Sequence, residues 1–296
     1  MLHETAWNLE LNYYKKMWEL KAESLELVES NAVRSVIRAT YKFNKSTIWQ
    51  DVILYSNGES VVFDTTVDWH ESDKVLKAGF DVSVIDTDAT YDIAHGAIRR
   101  PTHWNTSFDL TRFEVAAHKW ADLSEGGYGC SIINDCKYGY DIHNSHMRIT
   151  LMRAPTCPDR TGDHGINTFK YAFHPHQDDW RFDTVQQAIT FNVPPVAVYN
   201  AEATEGTLGG EIRFVTWLEN NLAVDAIKKA QDGRGYIIRV VEEEQKRGEC
   251  EMKLNFAFDK VYECNMIEED IAEIPVQDNG FSFNIKPFQV KTFRVI

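Results

Sequence analysis

The chain has 296 residues, enough for one large or two ordinary domains. Its 45 acidic and 31 basic residues give a formal charge of −14, which opposes general binding to nucleic acid or an anionic membrane, since both need basic patches. With 43% apolar and 26% charged residues it has the composition of a soluble globular protein, and no run approaches the ~20 apolar residues of a membrane span.

In chain order, 13–30 is amphipathic enough for a helix, yet 23–29 (ESLELVE) also alternates with period two, as a strand does. From residue 32 the pattern is β. Segments 33–43 (VRSVIRATYKF) and 47–55 (TIWQDVILY) are rich in β-branched and aromatic residues and are joined by a tight Asn44-Lys45 turn. A turn at Asn57-Gly58 leads to 60–68, and 74–85 and 89–94 continue the series. The central stretch 112–141 predicts a strand starting over 112–115, then Trp120 returning to the core. A glycine-rich turn follows at 124–129 (SEGGYG), then an apolar strand at 130–133 and a polar-aromatic loop at 134–141 (NDCKYGYD).

Strands are expected at 147–153 and 169–174, with 154–165 as loop. Residues 183–191 (DTVQQAITF) form the best helix, with Asp183 or Thr184 as N-cap and Pro194 ending it. The segment 202–210 (EATEGTLGG) is the linker candidate. Beyond it, strands are expected at 211–218, 223–229, 235–242, 249–258, 260–265 and 280–296, with a turn at Asp232-Gly233. The count of strands suits two large facing sheets, then a small β-sandwich.

Cys130, Cys136, Cys157, Cys250 and Cys264 are odd in number and irregularly spaced, which fits reduced thiols better than a disulfide framework. The first twenty residues carry charges throughout and lack the apolar core of a signal peptide, so the expected compartment is the cytoplasm. His143 with His146, or His174 with His176, could ligate a metal only with added carboxylates. Glycoside chemistry needs paired carboxylates, but Asp68/Glu71, Asp135/Asp141 and Asp178/Asp179 are what chance gives among so many acids. No GxSxG, P-loop or GxGxxG is present. The loop 134–141 packs carboxylates, an amine and tyrosines into eight residues, which suits a hydroxyl-rich ligand and equally suits a well-capped surface turn.

HKWADLSEGGYG (118–129) followed by NDCKYGYD (134–141) resembles the C-terminal region of family 38 glycoside hydrolases, the zinc-dependent α-mannosidases. The match is closest to their cytosolic or vacuolar and bacterial branch. Segments 6–20, 67–80, 100–107 (RPTHWNTS), 171–176 (YAFHPH) and 285–294 resemble the same family in the same order, so the likeness covers nearly the whole chain.

The resemblance implies an all-β fold: a large galactose-mutarotase-like β-supersandwich over 1–205, then a small C-terminal β-sandwich over 211–296. In that family the zinc, its His/Asp ligands, the nucleophile and the acid belong to an N-terminal α/β domain, which has no counterpart here. The chain is then an excised piece or a split-gene product, with no catalytic residue and no metal ligand of its own. Its implied partners are that N-terminal domain and a mannose-containing oligosaccharide. The whole enzyme would hydrolyse terminal α-mannosides with retention. Asp135, Lys137 and Tyr138, with Arg100, His103 and Asn105 from the preceding loop, are expected at the rim of the sugar site. An apolar patch beside the 134–141 loop is expected where the missing domain docks, with homo-oligomer formation as a consequence. Two other readings stay open: a stand-alone carbohydrate-binding module, and an aldose-epimerase-like enzyme, which needs a His and a Glu in one cleft.

Overall fold

Period-two alternation builds the first third of the chain as expected. In the structure, a computed structural model that describes residues 5–199, 210–217 and 221–296, four strands run as an antiparallel meander. They are β1 (Ser24–Ser30), β2 (Arg34–Phe43), β3 (Ser46–Tyr55) and β4 (Val61–Trp69). Of the two readings of 13–30, the strand holds for β1, and only Tyr13–Lys15 turns, as a single 3-10 turn. Asn44 makes the first tight turn at φ 51°, a left-handed conformation that asparagine tolerates.

The next strands are β5 (Leu76–Asp81), β6 (Asp88–Ile93) and β7 (Gly96–Pro101). A short helix α1 (Ser107–Thr111) precedes β8 (Val115–Ala116), β9 (Trp120–Glu125), β10 (Tyr128–Asn134), β11 (Gly139–His143), β12 (His146–Met152) and β13 (Gly165–Gln177), and helix α2 (Thr184–Asn192) follows. Nine strands form one sheet in the order β1-β2-β3-β4-β13-β10-β9-β6-β7, and four form a second, β5-β12-β11-β8. The two sheets face each other across one core. Val67, Trp69, Leu123, Ile132 and Tyr171 come from the larger sheet, and Tyr140, Ile142, Met147 and Ile149 from the smaller. Helix α2 packs on the opposite face of the larger sheet, where Trp180, just before it, stacks on Trp120 at 5.2 Å.

Several expectations are corrected. The segment 112–115 does not start a strand; strand geometry begins only at Val115. The TSFD sequence before it is a capping box: Thr106 Oγ1 accepts from Asp109 N–H and the Asp109 carboxylate accepts from Thr106 N–H, so α1 forms there. The loop after β10 is shorter than 134–141, because Tyr140 and Asp141 lie in β11, 0% and 4% exposed. The strand at 74–85 does not extend the meander but crosses to the second sheet as β5. The glycine turn narrows to Gly126-Gly127, with Gly127 at φ 100°. Gly129 is needed for another reason: a Cβ there would sit 2.3 Å from His176 Cε1. Asp183 occupies the N-cap of α2 as expected but makes no capping hydrogen bond, because its carboxylate is engaged by His174.

The chain divides into two compact units, Met1–Ile93 with Ile98–Pro195, and Ala94–Ala97 with Val196–Ile296. All of the linker candidate 202–210 except Gly210 lies outside the described residues. In the second unit, β14 (Val215–Trp217), β15 (Leu222–Lys229), β16 (Tyr236–Glu242), β17 (Gly248–Leu254), β18 (Val261–Cys264), β19 (Asp270–Ile274), β20 (Gly280–Ile285) and β21 (Val290–Val295) form sheets β14-β17-β20 and β15-β16-β21-β18-β19. Met252, Phe281 and Phe283 from one sheet meet Ile238, Val240 and Phe293 from the other. The expected single strand at 280–296 is two strands in different sheets. Lys286–Gln289 breaks it: Pro287 cannot donate to a ladder and Phe288 takes φ 57°. β19 was not anticipated, and of 211–218 only Val215–Trp217 is strand among the described residues.

Among the described residues no helix is long and apolar enough to cross a membrane. None of the five cysteines is in a disulfide. Exposed apolar side chains do form a row, although not beside the 134–141 loop. In register across the larger sheet run Leu27, Ile37, Val52, Phe63 and Tyr171. Leu27 is 65% exposed, Ile37 44% and Tyr171 3%, so the core-facing side of the sheet emerges from the sandwich toward β1.

Candidate functional site

Within the first unit, a cavity of about 870 Å³ lies between the two sheets, closed on one side by the segment 9–20. The core-facing positions of β2, β3 and β4 supply Tyr41, Phe43, Gln50, Phe63, Thr65 and Trp69, while β5 supplies Lys77 and Phe80 and β12 supplies His146 and Arg148. Alternation sets this wall: Phe63, Thr65, Val67 and Trp69 are every second residue of β4, so all point to one face.

A buried ionic cluster joins the cavity to the central stretch. Lys77 Nζ donates to Asp141 Oδ2 at 2.5 Å and to Glu114 Oε2 at 2.9 Å, and Arg148 Nε donates to Asp141 Oδ1 at 2.6 Å. The Tyr13 hydroxyl donates to Asp141 Oδ2 at 3.2 Å, which ties the segment 9–20 to β11. Thr150 Oγ1 donates to Glu114 Oε1 at 2.7 Å. Burial alone would push the Lys77 ammonium down, but Asp141 and Glu114 outweigh it and its pKa ends above the ordinary lysine value. Burial raises the Tyr13 phenol. Two cations and two carboxylates in contact leave the cluster electrically balanced, which is the condition under which buried charges are tolerated.

The six residues expected at a sugar rim fall into two separate groups. Arg100 Nη1 donates to Ala116 O at 2.7 Å and its guanidinium lies 4.9 Å from the Tyr91 ring centre. Burial lowers its pKa. His103 sits 3.7 Å from Asp109 Oδ2 and accepts from Asn105 N–H, while the Asn105 side chain is exposed, with no hydrogen bond to another described residue. On the other loop, Asp135 Oδ1 accepts from Lys170 N–H at 3.1 Å, so it caps the neighbouring edge of β13. Lys137 Nζ lies 4.5 Å from the Phe169 ring centre. Tyr138 is 55% exposed and meets His118 edge-on. Among the described residues no hydrogen bond, ion pair or ring contact joins one group to the other. The closest link runs through backbone, since Ala116, the acceptor for Arg100, pairs with Gly139 next to Tyr138.

The two histidines of YAFHPH share a face, as their spacing requires, and both are spoken for. His176 Nε2 bonds Asp122 Oδ2 at 2.6 Å, and His174 Nε2 bonds Asp183 Oδ1 at 2.9 Å with Ser60 on its other nitrogen. Ser131 bridges Asp122 at 2.7 Å and Thr184 at 2.8 Å, and Ser124 also bonds Asp122. This polar row lies beneath α2 and fixes the helix to the sheet. Of the carboxylate pairs, Glu71 accepts from Asn44 Nδ2 and Lys45 N–H, Asp68 meets His70 at 2.8 Å, and Asp179 pairs with Arg181. Among the described residues no three His, Cys, Asp or Glu side chains stand together as metal ligands. The aromatic cavity and its ionic floor were missed from sequence. They join 9–20, β2–β5 and β12, and only the alternation of aromatics on β4 hinted at them.

Two family models match. "Glycosyl hydrolases family 38 C-terminal domain" covers residues 2–161, and "Glycosyl hydrolases family 38 C-terminal beta sandwich domain" covers residues 221–293. The chain is 32% identical over 304 residues to alpha-mannosidase G of Dictyostelium discoideum, covering 98% of this chain and 28% of that protein. It is 33% identical over 257 residues to alpha-mannosidase 2C1 of Homo sapiens, covering 85% and 24% respectively. It therefore spans about a quarter of the length of these relatives. Among solved structures, an alpha-mannosidase from Enterococcus faecalis V583 superposes with a TM-score of 0.77 at 17% identity, over 93% of this chain and 35% of that one, a likeness of fold. With the first model spanning more than half of its residues, the chain belongs to glycosyl hydrolase family 38, as the C-terminal region of that family.

Proposed function

We infer that the chain is the C-terminal, non-metal-binding portion of a family 38 α-mannosidase that hydrolyses terminal α-mannosides in the catabolism of mannose-containing oligosaccharides in the cytoplasm. The observation that carries this reading is the pair of family matches, together with relatives named alpha-mannosidase that align along 85–98% of the chain. The absence of a zinc site from this chain is supported by its histidines: His174 and His176 are bonded to Asp183, Ser60 and Asp122, His146 meets Asp81, His143 stacks on Trp104, and no three candidate ligands stand together among the described residues. The zinc, the Asp nucleophile and the acid are assigned to an N-terminal domain, with which this chain partners.

The task left to this chain is support and shape. Arg100, His103, Asn105, Asp135, Lys137 and Tyr138 are proposed to wall one side of the sugar site in the complete enzyme. Tyr138 and Asn105 have the side chains best placed to meet a ligand, being exposed; Arg100 and Asp135 act by holding Ala116 and Lys170 in place. The exposed row from Leu27 to Ile37 offers an apolar contact for the N-terminal domain, or for a second copy in a homo-oligomer.

A chimera tests the reading. The last quarter of the Dictyostelium discoideum relative is replaced by this chain, and turnover of an aryl α-mannoside is measured. Restored turnover is expected, with Tyr138→Ala lowering it several-fold at an unchanged melting temperature. A folded but inactive chimera, or a relative fully active without its last quarter, overturns the reading.

A further inference from the structure

Protein interiors pack at the density of organic crystals, so a space of about 870 Å³ between two sheets is not ordinary core. Its size falls within the roughly 300–1,000 Å³ typical of small-ligand sites. Tyr41, Phe43, Phe63 and Phe80 face the core yet are only half-buried, so part of each ring meets the cavity rather than protein.

The rings gather at two ends. At one, Phe43 stacks on Trp69 (13° between planes, centres 6.3 Å apart) and meets Trp18 at 5.8 Å. At the other, Phe63 stacks on Tyr171 (15°, 4.9 Å) and meets Phe80 at 5.7 Å. Phe63 and Trp69 lie six residues apart on β4, which places the two groups about 20 Å apart by strand geometry.

Between them, on the same face, are Thr65 and its cross-strand partner Gln50. Gln50 Nε2 donates to Thr65 Oγ1 at 3.2 Å and to the Tyr171 hydroxyl at 2.8 Å, leaving its carbonyl oxygen without a donor among the described residues. Lys77 is fully engaged by Asp141, Glu114 and Tyr13, whereas among the described residues Arg148 Nη1 has only the weak acceptor Met17 Sδ, at 3.8 Å. Aromatic faces at both ends, with a spare donor and an acceptor between, match the alternation of apolar ring faces and hydroxyls in a sugar chain. The cations lining the floor are already neutralised by Asp141 and Glu114, so the match is to a neutral sugar rather than an anion.

We propose that this cavity binds a short neutral mannose-containing oligosaccharide, with sugar rings on the Trp18/Phe43 and Phe63/Phe80 surfaces and hydroxyls on Gln50 and Arg148. The assignment rests on the protein being a glycoside-processing one, but it concerns binding by this chain alone, so it stands or falls without any turnover. The test is calorimetric titration of the 296-residue chain with α-linked mannobiose and mannotriose. Mannotriose should bind, and more tightly than mannobiose. Trp18→Ala, at a residue 51% exposed, should weaken mannotriose at least tenfold with the melting temperature unchanged. Gln50→Met, of similar length but lacking the carbonyl, should weaken it about fivefold. Absence of binding at millimolar sugar overturns the proposal, as does equal affinity in Trp18→Ala. It is also overturned if the chain forms a dimer that shields Trp18, since a second copy would then be the occupant.

Discussion

Asp141 holds three elements together, so removing its carboxylate is the sharpest perturbation of the first unit. It takes hydrogen bonds from Lys77 at 2.5 Å, Arg148 at 2.6 Å and Tyr13 at 3.2 Å. The cluster balances two cations, Lys77 and Arg148, against two anions, Asp141 and Glu114. In Asp141→Ala, Glu114 alone opposes both cations, leaving one positive charge unmatched. Solvent compensates only in part, because the Lys77 and Arg148 side chains are 10% and 14% exposed. Breaking one partner out of a buried ion pair costs about 3–5 kcal/mol. That is a large share of the roughly 5–15 kcal/mol that stabilises a domain. With a urea slope of about 2 kcal/mol/M, the midpoint of the first unit should fall by about 2 M. The assay is urea unfolding followed by tryptophan fluorescence, with Asp51→Ala as reference. Asp51 pairs with Arg38, whose side chain is 47% exposed, and such a surface pair is worth about 0–1 kcal/mol. The variant should also free the segment 9–20 for early proteolysis. If Asp141→Ala shifts the midpoint no further than Asp51→Ala does, the charge-balance account of the cluster is wrong.

Gly129→Ala places a Cβ 2.3 Å from His176 Cε1 and 2.6 Å from Ser124 Oγ, so it should cost about 1–3 kcal/mol, seen as a lower melting temperature and loosened packing of α2 by near-ultraviolet dichroism. The His176 pKa is raised: burial opposes the charge, but the Asp122 hydrogen bond outweighs it. A raised folded-state pKa gives a stabilising contribution that is complete below the unfolded value of about 6.5 and lost as pH climbs through the folded value. The melting temperature should therefore drop across that rise, and His176→Gln should flatten the dependence. In the second unit, Glu242 is 0% exposed and accepts from Asn221 Nδ2 and from the N–H groups of Glu244, Lys246 and Phe288. Glu242→Ala strands those donors and should cost about 2–4 kcal/mol in a denaturant titration, whereas Glu249→Ala at an exposed position should cost little.

Most strands were legible because one face is buried and the alternation states it: VVFDTTVDW cannot be paired in another register without turning Phe63, Thr65 and Trp69 outward. Elements were misjudged where local chemistry overrode the pattern. TSFD carries a capping box that outvoted the β-branched residues around it, and Lys286–Gln289 breaks what looks like one strand because Pro287 and Phe288 cannot continue a ladder. The site was hardest to see. Asp141 and Tyr140 sit in a polar-aromatic string that looks like a loop, yet the partners that bury them, Lys77, Arg148, Asn134 and Tyr13, are up to 128 residues away. Hydrogen bonds over such separations leave no local trace, so the ionic cluster and the cavity above it emerge only once the sheets are assembled.

The measurement that bears most directly on the account is turnover of an aryl α-mannoside by the purified 296-residue chain, alone and with the N-terminal three quarters of a family relative, each with and without added zinc. The account predicts no turnover above buffer by the chain alone, whatever the zinc, and turnover once the N-terminal portion is supplied. Zinc-dependent turnover by the chain alone, persisting through removal of trace contaminants, would contradict it.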